Sequence, residues 1–318
     1  MPTTRAKRPA AASLVAAALV IMAWGCHGGD GTGPPDKRVP SSEKSVASAP
    51  VLAVKIDNVG PARPQTGLQE ADIVYVEQVE AGLSRILAVY SSRLPSVVGP
   101  VRSARESDLE LLRQFDRPTL AYSGAQAKLR PAIEAAPLND LPPSKAPGAY
   151  FRSGDRAAPH NLYLRPRNTR HTTARANAAE AAGLRFGPAP AGGRPVTGHT
   201  VRYPSARFAF TWSADRQQWQ VDMDGAPART AEGARLGTAT VVVQYVTVRP
   251  SLFRDRSGNT TPYTETVGSG TALVLRNGRA YDAEWSRGTP ESTTAFTTPD
   301  GKPMTFAPGG LWIVFAPR

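Results

Sequence analysis

A single cysteine, Cys26, occurs in the 318 residues, so no disulfide can staple the fold and the core must hold it unaided. Long apolar runs are equally scarce. The one near the start, Ala10 to Ala23, covers about 15 residues, short of the roughly 20 that span a bilayer. No G-x-S-x-G elbow, metal-ligand spacing or internal repeat is present, which argues against a serine hydrolase and a zinc site. Gly268-Ser-Gly270 is too short for a phosphate loop and leads into a strand, so it reads as a turn or bulge. Neither metal nor cofactor is expected.

The start of the chain carries the strongest signal. Arg5, Lys7 and Arg8 precede the apolar run, and Ala23-Trp24-Gly25 leads into Cys26. This is the layout of a bacterial secretory signal ending in a lipobox, where the thiol is acylated and the chain is cut before it. Trp24 and Ala23 depart from the usual small residue and leucine, which keeps conventional secretion or a signal anchor as the alternative. Residues 1–25 are thus expected to be a signal and Cys26 the membrane attachment. Residues 26–48, rich in Gly, Pro and Ser, read as a flexible tether.

The formal charge is +12; without the three basic residues of the signal, 35 basic residues face 26 acidic ones. The excess is spread arginine, which favours anionic surfaces such as acidic wall polymers or lipid headgroups without selecting one. Nucleic acid is not an expected partner, because no recognition motif or aromatic-interleaved basic stripe appears.

From Val51 the pattern becomes that of a folded domain. Val51–Ile56, Ala71–Val79 and Arg85–Ser91 read as strands. Two overlapping capping boxes, Ser103 with Glu106 and Ser107 with Glu110, precede Leu109, Leu112 and Phe115 at helical spacing. They predict a helix ending before Pro118. Thr119–Ser123 reads as a strand, 125–136 as a second helix and Arg170–Ala182 as a third. Pro188 to Pro195 is the best internal boundary, and beyond it helical periodicity nearly vanishes. Strands are expected at 200–203, 208–212, 218–223, 240–248, 271–276, 280–285 and 311–315, with Asn277-Gly278 as a hairpin turn. The expected class is α+β: an α/β mixed-sheet domain at 49–187, a linker at 188–196 and a mostly antiparallel β domain at 197–318.

Several segments, in order, resemble the YerB-like lipoprotein family of bacterial envelope proteins. They are Ile56-Asp-Asn58, Ala62-Arg-Pro-Gln65 with Gly67-Leu68, Ala71-Asp-Ile-Val-Tyr75 leading to Glu77, and Val98-Gly-Pro-Val-Arg-Ser-Ala-Arg105. Ser123-Gly124, Ala158-Pro-His-Asn161, Thr266-Val-Gly-Ser-Gly270, Trp285-Ser-Arg287 and Pro308-Gly309 before Trp312 continue the series. Ala81 and Ser84 stand where the family more usually has glycine and threonine. The resemblance implies a two-domain envelope lipoprotein and no assigned activity, so it carries over no catalytic residue.

The best candidate site is Gly99 to Glu106, where Arg102 and Arg105 meet the start of the predicted helix with Ser103 between them. Free N–H groups and bidentate guanidinium forks there suit a carboxylate or phosphate; the alternative is pairing with Glu106, Asp108 or Asp72. His160 with Asn161 could act as general acid or base, or be an ordinary loop pair. Asp57, Arg63 and Glu77, from the resembling segments, complete the candidate ligand-binding set. Glu77 and Glu80 as a glycosidase pair are disfavoured, because their odd separation sends them to opposite faces of one continuous strand. Tyr263, Trp285 and Trp312 are a sugar platform or, more simply, core. The expected function is a lipid-anchored extracytoplasmic protein that binds an anionic envelope ligand or a partner protein without catalysis. The alternative is a wall-polymer hydrolase or transferase using His160 and a carboxylate near Arg102 and Arg105.

Overall fold

Every residue of the first strand, Leu52–Asp57 (β1), is buried. An element buried on both faces belongs inside a layered sheet, and period-2 alternation then assigns its side chains to two different cores. The computed structural model describes residues 50–169, 177–255 and 257–318. Cys26, the 1–25 signal, the 26–48 tether and His171 lie outside the described residues, as do residues 170–176 of the third expected helix.

The main sheet is mixed. β2 (Ile73–Gln78) and β3 (Ser84–Tyr90) form an antiparallel hairpin, β1 lies antiparallel beside β3, and β4 (Thr119–Ala121) and β5 (Asn139–Leu141) extend that edge in parallel. On the other side of β2 comes the C-terminal strand Leu311–Pro317, parallel to it. Thr240–Val246 follows in parallel, then Gly268–Arg276, Arg279–Arg287 and Ala295–Thr297 in antiparallel order. Asn277 and Gly278 take φ of 52° and 70°, the two positive values that a type I′ hairpin turn needs.

Residues 188–196 divide the chain in sequence, yet the sheet passes across that division without a break. Leu311–Pro317 is hydrogen-bonded on one side to β2 of the first half and on the other to Thr240–Val246 of the second. The described residues accordingly fall within one compact unit.

Even-numbered side chains of β1, among them Leu52, Val54 and Ile56, pack with Val74, Val76, Ile86 and Trp312 against a second, antiparallel sheet. That sheet is built from Gly198–Tyr203, Ala206–Ser213 and Gln218–Met223. Phe208 and Phe210 both meet the Trp312 ring, at 6.2 and 6.0 Å between centroids. On the opposite face Ala53, Ile73, Tyr75, Leu87 and Val89 lie under Leu111, Leu112, Leu129, Ile133 and Ala178 of the short helices.

Helix is sparser than the sequence suggests. The first helix, α1, spans only Glu106–Leu112, and Ser103 is not its cap. The reason is in the backbone before it. Arg102 N–H donates to the Lys55 carbonyl (2.8 Å) and Ala104 N–H to the Gly124 carbonyl (3.0 Å), which holds 102–104 against the sheet and out of helical geometry. Asp108 caps α1 instead, its Oδ2 accepting Arg105 N–H at 2.7 Å. α2 spans Arg130–Ala135 after a 3₁₀ turn at Ala127–Leu129, and α3 spans Ala178–Ala181. The expected strand at 240–248 divides at Thr247: Val248–Arg254 leaves the main sheet and pairs with Thr260–Thr264 in a separate hairpin.

Candidate ligand-binding site

At one end of the central strands the apolar pattern gives way to charge. Asp57 of β1, Arg85 of β3 and Glu77 of β2 are register partners in a row across the sheet, all on the helix-covered face. Lys55 lies two residues before Asp57 and therefore on the same face. Over this row runs the segment 98–105, tied down where Asp57 N–H donates to the Pro100 carbonyl (2.9 Å). The tight 3₁₀ turn Glu80–Gly82, with Ala81 at φ 56° and Gly82 at φ 69°, brings Glu80 in from the β2–β3 connection. Ala81 occupies an αL position that glycine fills without strain.

Asp57 is the centre. It is 1% exposed, and its Oδ2 lies 2.8 Å from His160 Nδ1 and 3.1 Å from Arg102 Nε. The arginine contact is one of charge, since Arg102 Nε is not aligned for a hydrogen bond, and Asp57 Oδ1 is buried without a hydrogen-bond partner among the described residues. His160 and Arg102 keep 22% and 25% of their side chains exposed, so this side of the cluster opens to solvent.

Arg85 was missed by sequence reasoning. Among the described residues its guanidinium reaches only the Ser103 carbonyl, at 3.5 Å. Burial pushes it down to about 10, and the neighbouring charges of Arg105 and Arg102 add to that, against the pull of Asp57 and Glu80. Arg105 points elsewhere. It is buried and grips Glu80, Nε to Oε1 at 2.7 Å and Nη2 to Oε2 at 2.8 Å, while Nη1 donates to the Ser103 and Ala104 carbonyls. Burial favours the neutral form of Glu80, but the Arg105 hydrogen bond and charge and the Thr261 hydroxyl outweigh it, holding the carboxyl below its usual range.

Deeper still, Lys55 Nζ contacts both Glu77 Oε1 and Asp108 Oδ1, the latter at 2.7 Å, and none of the three side chains is more than 5% exposed. Burial pushes the Glu77 carboxyl up to about 7 despite the Lys55 charge.

Of the residues singled out from sequence, Asp57, Arg102 and His160 come together. Ser103 contributes only its carbonyl. Glu77 is committed to Lys55 and is not presented to a ligand. Asn161 is turned away: its Oδ1 accepts from Arg152 (2.7 Å) and its Nδ2 donates to the Ser153 carbonyl (3.0 Å). Arg63 is a structural bridge, donating to the Asn58 carbonyl (2.7 Å) and pairing with Asp224 (2.8 Å). The helix start offers no anion site, because α1 has seven residues and Asp108 already takes the Arg105 N–H. Trp285 and Trp312 are buried in opposite cores, and Tyr263 donates to Glu110 (2.6 Å), so the three rings form no platform. Among the described residues no group of three His, Cys, Asp or Glu is placed to hold a metal.

Two family models match this chain. The N-terminal domain of DUF3048, a protein family of unknown function, matches residues 38–180, and its C-terminal domain matches residues 199–313. The chain belongs to this family. A protein of Bacillus subtilis (strain 168) described as a lipoprotein, YerB, is 34% identical over 123 residues, 38% of this chain and 37% of that protein's length. The crystal structure of YerB from Bacillus subtilis superposes with a TM-score of 0.70 and 23% identity, covering 85% of this chain and 91% of that one. At that identity the likeness is one of fold. The YerB-like relationship read from the motifs therefore stands. Among the described residues no helix is long and apolar enough to cross a membrane.

Proposed function

We propose that this DUF3048 protein is an extracytoplasmic lipoprotein, anchored through Cys26, that binds an anionic envelope ligand where Arg85 and Arg102 flank Asp57 and His160. The observation that carries the reading is Arg85. It is a largely desolvated guanidinium set between two others, with a single long contact to a carbonyl and no ion pair among the described residues. A charge kept in that position is costly in the free protein, and a carboxylate or phosphate entering beside Arg102 would relieve it. The description of the Bacillus subtilis relative as a lipoprotein supports the anchoring.

Titration of the protein with phosphate, sulfate and a carboxylated wall fragment tests the site. Changing Arg85 and Arg102 together to Gln should weaken binding at least about a hundredfold, at roughly 1.5–3 kcal/mol for each charge-assisted contact. Unchanged affinity in the folded variant would sink the reading.

One observation favours a second reading. A buried carboxylate on Nδ1 is the arrangement that orients an imidazole as a general base, and Asp57 holds His160 in this way at 2.8 Å. Turnover of a wall-polymer ester or phosphodiester that is lost in His160→Gln, with ligand affinity retained, would convert the binder into a hydrolase.

A further inference from the structure

Lys55 has no part in the ligand reading. It is a primary amine with no exposed surface, and it lies against two carboxyl groups that are themselves buried. An ammonium ion in a dry interior is stable only while its partners stay charged, whereas an amide in the same place needs no counter-ion. A lysine amine that has handed on its proton is a nucleophile.

We infer that Lys55 and Asp108 are joined by an intramolecular amide bond, formed autocatalytically with Glu77 as the proton relay, so that β1 is covalently tied to α1. Three features of the triad fix the roles. Asp108 Oδ1 is 2.7 Å from Lys55 Nζ, and Glu77 Oε1 contacts the same nitrogen. Asp108 Oδ2 accepts the Arg105 N–H at 2.7 Å, an acceptor role that an amide carbonyl keeps. Glu77, with its carboxyl raised by burial, can both take and return a proton near neutrality.

The step balances without an outside reagent. A proton passes from the Lys55 ammonium through Glu77 to Asp108 Oδ1, leaving a neutral amine and a neutral acid. The Nζ lone pair forms the bond to Asp108 Cγ. Glu77 then takes a second proton from Nζ and delivers it to the Oδ1 hydroxyl, which leaves Cγ as water while Oδ2 becomes the carbonyl. Nothing is oxidised or reduced, and Glu77 ends as it began. Such a link would give a chain without disulfides a covalent tie beneath its ligand site.

Peptide mapping of the purified full-length protein by mass spectrometry tests this. The expected result is one branched peptide containing Lys55 and Asp108, lighter than the two separate peptides by one water. Lys55→Arg, which keeps the charge but cannot condense, should give the separate peptides. Glu77→Gln, which cannot relay a proton, should leave most of the protein unlinked. Free Lys55 and Asp108 peptides from the unmodified protein would overturn the inference and make the triad a buried ion cluster. A branch between Lys55 and Glu77 would overturn the assigned roles. The digest of the unmodified chain decides the matter even where a variant fails to fold.

Discussion

Asp57 Oδ2 lies 2.8 Å from His160 Nδ1, across 103 positions of sequence, and the carboxylate that makes this contact is almost wholly buried. A loop histidine is thereby tied to the end of a central strand. Because Asp57 also faces Arg102, one carboxylate is shared by side chains that two different loops bring to it.

Asp57→Asn should accordingly act in opposite directions on stability and on binding. Asn keeps the shape and one acceptor but removes the charge opposing Arg85 and Arg102. The fold should lose about 1–3 kcal/mol, the usual cost of leaving a buried charged partner unmatched. Affinity for phosphate should rise, since the repelling carboxylate is gone. Urea denaturation and calorimetry on one preparation check both signs, and weaker phosphate binding by folded protein would contradict the anion reading.

Arg85→Gln should do the reverse. Burial and the adjacent guanidiniums hold Arg85 down to about 10, which means that its charged form is disfavoured in the fold relative to the unfolded chain. The destabilisation is present at neutral pH and fades as pH rises through the folded value. Removing the charge should stabilise the free protein by at most about 3 kcal/mol, at roughly 1.4 kcal/mol for each unit of pKa displaced. Ligand binding should drop at the same time. A stabilised variant that binds as well as the parent would make Arg85 a structural residue.

The strands were legible because their alternation is clean: β1, β2, β3 and the Asn277-Gly278 hairpin lie within one to three residues of where periodicity sets them. The start of α1 was not. Ser103 with Glu106 is a good capping pattern locally, and it loses to a tertiary bond, Arg102 N–H to the Lys55 carbonyl. Nor could any local pattern show that Leu311–Pro317 enters beside β2, because a parallel pairing between distant segments leaves no mark on either. Three of the four site residues were readable. Asp57, Arg102 and His160 stood out in motifs of uncommon residues. Arg85 did not, although a signal existed: Lys55 and Asp57 two apart in an otherwise apolar buried strand already imply a charged end to one face of the sheet, which a neighbouring strand must answer.

Cys26→Ser should release the protein from membranes or leave an unprocessed precursor. Fractionation followed by mass measurement of the amino terminus checks it. A variant still cleaved and still fully membrane-bound would remove the lipid anchor from the account.

Proteolysis between 188 and 196 should nick the chain without parting its halves. Leu311–Pro317 supplies the seam between β2 and Thr240–Val246, and Trp312 lies buried among residues of both halves, so the pieces should co-elute under native conditions. Free fragments would mean that the shared sheet is weaker than its register implies.

Arg105→Gln separates structure from ligand. Arg105 is buried and spends its nitrogens on Glu80 and two carbonyls, so its loss leaves a buried carboxylate uncompensated. The cost should be about 3–5 kcal/mol, the range for breaking one side of a buried pair. Phosphate affinity of the folded fraction should change little, because Arg105 does not open to solvent as Arg102 does. The pH dependence provides the sharper check. Although burial alone would raise Glu80, the Arg105 contact and the Thr261 hydroxyl bring it below its ordinary value. The folded chain therefore binds fewer protons here than the unfolded chain as pH falls. The stability from this pair is complete above the unfolded carboxyl value and is lost as pH drops through the folded one. In Arg105→Gln that pull on Glu80 is gone, so the acid limb of a melting-temperature profile should flatten. A variant with the parent's acid limb but lost phosphate binding would move Arg105 out of the framework and into the ligand site.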